Sequence, residues 1–151
     1  MYVFSYGINY ETGDGDVEFY QVKDNELQQI YSSKRGIMNW AGITVVDKNT
    51  YFTIDNKVYQ YKNGNFKEFL SVDNDNFYWH ICGRNTNDIF IAMKDGIAHY
   101  NGTDMEYIYR FPIEGMGIIG HPLILDEDIF YGIVYPGTQW YNMILHGKMV
   151  E

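Results

Sequence analysis

Residues 79–102 read WHICGRNTNDIFIAMKDGIAHYNG, and the reading of this stretch decides the fold. Trp79, Ile81 and Gly83 alternate with His80 and Cys82, the two-residue period of a strand with unlike faces. Asn85 to Asp88 follows as a turn, because Asn and Asp side chains bond their own backbone and tolerate left-handed geometry. Ile89 to Met93 is a short, almost continuous apolar run, as expected of a strand covered on both faces. Lys94-Asp95-Gly96 turns the chain into a third strand, Ile97 to Tyr100, and Asn101-Gly102 is a hairpin signal before a fourth, Met105 to Phe111.

The same grammar recurs on either side. Trp40, Val58 and Tyr61 precede Trp79, Ile97 and Tyr100 by 39 residues each, and Phe66 and Phe69 precede Met105 and Ile108 by the same distance. Lys23-Asp24-Asn25 stands 39 before Lys62-Asn63-Gly64, and Asp128-Ile129-Phe130 stands 40 after Asp88-Ile89-Phe90. His146-Gly147 takes the place of Asn101-Gly102, which puts His146 in a turn. A four-strand unit repeating at about 40 residues is the signature of propeller blades, each of which needs a neighbour to cover its faces.

The pattern W-x-x-x-G-x-x-x-N-D-I-F followed by D-G-I-x-H-Y-N-G resembles the blade repeats of bacterial multi-bladed propellers of the sensor and secreted-lipoprotein type. The resemblance implies blade geometry and no catalytic residue; such rings bind proteins, glycans or small ligands, and some related ones cleave glycans. The expected fold class is all-β, a β-propeller-like array of about four four-stranded antiparallel blades, whole or part of a ring, over residues 1–35, 36–74, 75–114 and 115–151. With strands lettered a to d from the axis outward, the first blade shows b at 2–6, c at 17–22 and d at 26–31, and lacks a. The second has a near 38–46, b at 50–54, c at 57–61 and d at 66–70, and the third has them at 77–83, 89–93, 97–100 and 105–111. The fourth has a at 117–125, b at 129–134, c at 141–146 and d at 148–151. The vacancy is a strand a while the last segment is a strand d, so simple closure fails. A homodimer of half-rings or a piece of a larger propeller is expected instead.

Composition agrees. Fifteen Tyr, nine Phe and three Trp suit packed pleated surfaces, and fifteen Gly against three Pro suit many tight turns. Eleven basic against twenty acidic residues leave a net charge of −9. That disfavours nucleic acid, whose binding needs clustered positive charge, and anionic membrane surfaces. No run reaches the roughly 18 apolar residues of a membrane-spanning helix. Cys82 stands alone, which excludes an internal disulfide and suggests a buried core thiol. No basic-then-apolar leader opens the chain, which fits a cytoplasmic protein or a fragment of a secreted one.

Departures from a repeat mark its functional face. The b–c loops of the first and fourth blades are enlarged, and both fall on the rim that also carries the d–a linkers. The first holds Glu11, Asp14 and Asp16 and the fourth holds Tyr135, Gln139, Trp140 and Tyr141. With His80, expected to line the axis, these are the candidate ligand-binding residues. Trp140 and its flanking Tyr rings could stack on a sugar or clasp a peptide. Neither Glu11–Asp16 nor Asp73–Asn76 has EF-hand spacing, so no cofactor is expected, with calcium as the alternative at these oxygen-rich turns. Trp40 and Trp79, recurring in neighbouring blades, are expected to pack between them, and His99 to be a structural histidine.

Three functions compete. The first is a non-enzymatic binding module that recognises a protein or carbohydrate on this rim. The second is part of a glycan-acting hydrolase or lyase, with its acid and base drawn from Glu11, Asp14, His80 and His121. The third is a structural or sensor segment without a ligand of its own.

Overall fold

The computed structural model describes residues 1–8, 11–12, 14–36, 41–135 and 141–148, with backbone alone for Ile8 and 34–36. It is all-β: four antiparallel sheets, each a meander in chain order, with no helix among the described residues. The first sheet is β1 (Tyr2–Ile8), β2 (Asp14–Lys23) and β3 (Glu26–Gly36). The second is β4 (Ala41–Val46), β5 (Asn49–Ile54), β6 (Lys57–Lys62) and β7 (Asn65–Ser71). The third is β8 (Phe77–Asn85), β9 (Asp88–Met93), β10 (Gly96–Tyr100) and β11 (Met105–Arg110). The fourth is β12 (Gly117–Leu125), β13 (Asp128–Tyr135) and β14 (Tyr141–Lys148). This arrangement is compatible with a blade-repeat array.

Local chemistry sets the corners. Asp24 and Asn25, Asp47 and Lys48, and Asn63 and Gly64 all take positive φ, the two-residue geometry whose twist matches that of the flanking strands. The Asn101-Gly102 corner is wider than the two-residue turn expected. Asn101 Oδ1 accepts from the backbone N–H groups of Thr103 and Asp104, both at 2.9 Å, so four residues make the bend.

The repeat extends to backbone irregularities. The third and fourth strands of the second and third sheets slip register between Val58 and Tyr59 and between Ile97 and Ala98. The first sheet slips between Phe19 and Tyr20, again 39 residues earlier. β2 and β3 therefore match the third and fourth strands of their neighbours, and β1 matches the second. The place of an inner first strand is empty among the described residues. In the fourth sheet β12, β13 and β14 match the first three strands. Residues 149–151, expected in a fourth, lie outside the described set.

The place of His146 is corrected. His146 lies within β14, opposite Phe130, and not in a turn. It is the counterpart of His99, which lies opposite Phe90 on β10. The offset here is 47 residues because the β13–β14 connection is longer, so carrying a fixed 40 through the last unit puts this histidine in the wrong place.

Three apolar clusters join the sheets in chain order. Successive side chains on a strand point to opposite faces, so β5 and β9 each divide their residues between two neighbouring sheets. Phe52 and Ile54 meet Val17 and Phe19 of the first sheet, while Tyr51 turns to the third. Ile89, Ile91 and Met93 face the second sheet, while Phe90 and Ala92 face the fourth. Ile129, Tyr131 and Ile133 face the third. The first of these cores is aromatic: Phe52 meets Phe19, Phe66 and Tyr2 edge-on at 5.0–5.3 Å between ring centres. Such contacts add about 0.5–1.5 kcal/mol each beyond area burial. Among the described residues no apolar cluster joins the fourth sheet to the first.

Candidate functional site

The feature that stands out is the face of the fourth sheet turned away from the third. Residues paired across an antiparallel ladder share a face. The rows Ile119–Gly132–Ile144 and Leu123–Phe130–His146 therefore lie opposite the buried Ile129, Tyr131 and Ile133. Ile119, Leu123, Leu125 and Ile144 are all exposed. The repeat gives these positions a meaning. Phe19, Val58 and Ile97, each at the register slip of its own sheet, are at most 2% exposed because the next sheet covers them. Ile97 is paired with Ala92, and Ile144 is paired with Gly132, the counterpart of Ala92. Ile144 is thus the fourth member of that series, and it is 76% exposed.

The polar support beside these rows is duplicated too. In the third sheet Asp88 Oδ1 lies 2.8 Å from His99 Nε2, and the His99 ring lies against Phe90, 4.8 Å between centres. In the fourth, Asp128 Oδ1 lies 2.7 Å from His146 Nε2, and His146 stacks on Phe130 at 4.7 Å. Burial alone would raise the Asp88 carboxyl, but bonds to Arg84 and His99 outweigh it and hold the group below the usual carboxylate range.

The outward face of the first sheet is different. On the face away from the second sheet, Glu18 accepts from the Tyr20 hydroxyl and from Gln29 Nε2 at 2.9 Å, and Asp16 is exposed. Covering that face would desolvate carboxylates, at a cost that an apolar face does not carry.

A second cluster lies on the inner strands. Tyr78, Trp79 and His80 bulge from β8 and Gly120, His121 and Pro122 bulge from β12, with Trp79 and Gly120 at positive φ. The bulges bring His80 and His121 to 4.1 Å between ring centres. Burial, with His121 adding to it, lowers His80 to about 4, and its buried Nδ1 has no hydrogen-bond partner among the described residues. The pair is thus held neutral near pH 7 at its inner member. The Trp79 carbonyl accepts from Thr53 Oγ1 at 2.9 Å, and its ring joins the core between the second and third sheets. Burial, reinforced by Asp88, pushes the Cys82 thiol up to about 12, which keeps it protonated and a poor nucleophile.

The residues singled out from the sequence fall on three sheets. Glu11 lies in the turn after β1, but Asp14 and Asp16, expected in the loop, stand exposed on β2, because that strand already begins at Asp14. Tyr135 and Tyr141 close the β13–β14 ladder with their rings stacked at 6.2 Å. His80 stands with His121 on the inner strands. Gln139, Trp140 and Trp40 lie outside the described residues. The Asp73–Asn76 linker bonds internally, the Asn76 N–H donating to Asn74 Oδ1 at 2.8 Å. Among the described residues no three His, Cys, Asp or Glu side chains gather closely enough to hold a metal ion.

Sequence reasoning missed the outward row of the fourth sheet. Its signal was present: once the longer β13–β14 loop is allowed for, Ile144 aligns with Ile97, Val58 and Phe19. No family model matches this chain, and no curated protein or solved structure matches it either.

Proposed function

We propose that the chain is a propeller-type blade array that works as a non-enzymatic interaction module with a protein ligand. The observation that carries this reading is Ile144, 76% exposed at the register position that is buried between sheets three times earlier in the chain. Apolar rows of this kind, outside a fold's own core, are where proteins associate. The β13–β14 rim, with Tyr135 stacked on Tyr141, is a second contact region, suited to a flat apolar group such as a peptide side chain or a sugar ring.

The test is a titration with a hydrophobic fluorescent dye under native conditions. Saturable binding is expected, and it should be lost in Ile144→Asp and in Leu123→Asp while the β-sheet circular dichroism persists. A chain that binds no dye, or binds it equally well in both variants, would overturn the reading.

A further inference from the structure

We propose that the β14 edge of the fourth sheet, with the cleft beside it, is a strand-addition site for an extended peptide segment carrying apolar residues two positions apart. The inference rests on the reading of the chain as a protein-binding module and names the kind of partner.

Three observations converge on this edge. First, among the described residues β14 pairs with β13 alone, whereas β6 and β10, its counterparts, also pair with β7 and β11. The strand runs Tyr141–Lys148 without proline, and its one lysine stands at the end, so the edge lacks the usual guards against strand pairing.

Second, the outer strands of neighbouring sheets touch elsewhere in the array. Tyr31 on β3 meets Phe66 on β7 edge-on at 5.6 Å. Phe69 and Leu70 on β7 share a core with Met105 and Tyr107 on β11. Ile108 and Tyr109 on β11 hold the places of Phe69 and Leu70, 39 residues on, yet both are exposed. What would cover them is a fourth strand on the last sheet.

Third, a cleft of about 280 Å³ lies where that strand's side chains belong. Tyr109, Phe111 and Ile113 line one side, and Met143 and Leu145 of β14 line the other. β11 shows the side chains such a strand brings: Met105 and Tyr107, two apart on one face, both packed inward. Main-chain bonds to β14 would supply affinity, and the cleft would select the alternate side chains.

The test uses the intact chain and a labelled peptide of residues 103–112 (TDMEYIYRFP), read by fluorescence polarisation and by hydrogen exchange at the β14 amides. Saturable binding is expected, with β14 amides newly protected and a scrambled peptide at least about tenfold weaker. Met143→Asp and Ile113→Asp, on opposite walls of the cleft, should each weaken binding by about tenfold or more. No binding up to ~1 mM peptide, or binding that leaves β14 unprotected, would overturn the proposal. So would β14 protection that rises with protein concentration in the absence of peptide, since the occupant would then be a second copy. Ile144 borders both the outward face and the cleft, whereas Leu123 lines no part of the cleft, so Leu123→Asp tests the first reading alone and β14 protection tests the second.

Discussion

The third and fourth sheets carry the same construction in opposite surroundings. Each has an Asp–His pair supporting a Phe: Asp88, His99 and Phe90 in one, Asp128, His146 and Phe130 in the other. In the third sheet Phe90 and Ile97 are buried under the fourth. In the fourth, Phe130 is half-buried and Ile144 is exposed. A side chain's meaning here comes from its place in the repeat as much as from its own environment. An exposed isoleucine alone is unremarkable, whereas one at a position buried in every other sheet points to an interface.

Truncation separates the two sheets most sharply. Phe90→Ala empties a filled core and should cost about 3–5 kcal/mol in urea unfolding, while Phe130→Ala should cost less than half of that. Comparable losses would mean that Phe130 is covered in solution. The carboxylates come next. Asp88→Ala strips a shielded acid from Arg84 and His99 and should cost about 3 kcal/mol, against less than about 1 for Asp128→Ala, whose pair is open to water. Equal effects would show the two modules to be equivalent despite their exposure.

The smallest effect is pH-dependent. His80 is lowered to about 4 in the folded chain, so between 6.5 and 4 the unfolded chain binds the extra proton. Its contribution to stability is full above 6.5 and is lost as the pH falls toward 4. Discounted for partial solvent access, the loss is about 1–2 kcal/mol. Asp88, held low, adds a further loss only below the ordinary carboxylate range. Urea midpoints at pH 7 and 4.5 should converge in His80→Gln, and an unchanged difference would place the sensitivity elsewhere.

Much of this was legible in the sequence because the repeat is written in short-range chemistry. Alternation marked the strands, and Asp-Asn and Asn-Gly marked the corners, so the observed strands fall within a few residues of those read from the sequence. His99 as a structural histidine and Cys82 as a shielded thiol follow from their strand positions. The outward face of the fourth sheet was not read, because a fixed 40-residue offset placed His146 in a turn and hid Ile144 from its counterparts. Nor could spacing reveal the His80–His121 contact, which depends on two bulges on different strands. The rim residues Glu11, Asp14, Asp16, Tyr135 and Tyr141 were chosen from loop length, which marks where a chain departs from its repeat but not what those side chains meet.

The most direct measurement is thiol labelling of Val58→Cys, Ile97→Cys and Ile144→Cys, each in a Cys82→Ala background, under native conditions. The thiols at 58 and 97 should react only through rare opening, and the thiol at 144 nearly as fast as in an unfolded peptide. Protection at all three would mean that the fourth face is covered, and rapid reaction at all three would mean that the sheets do not stack.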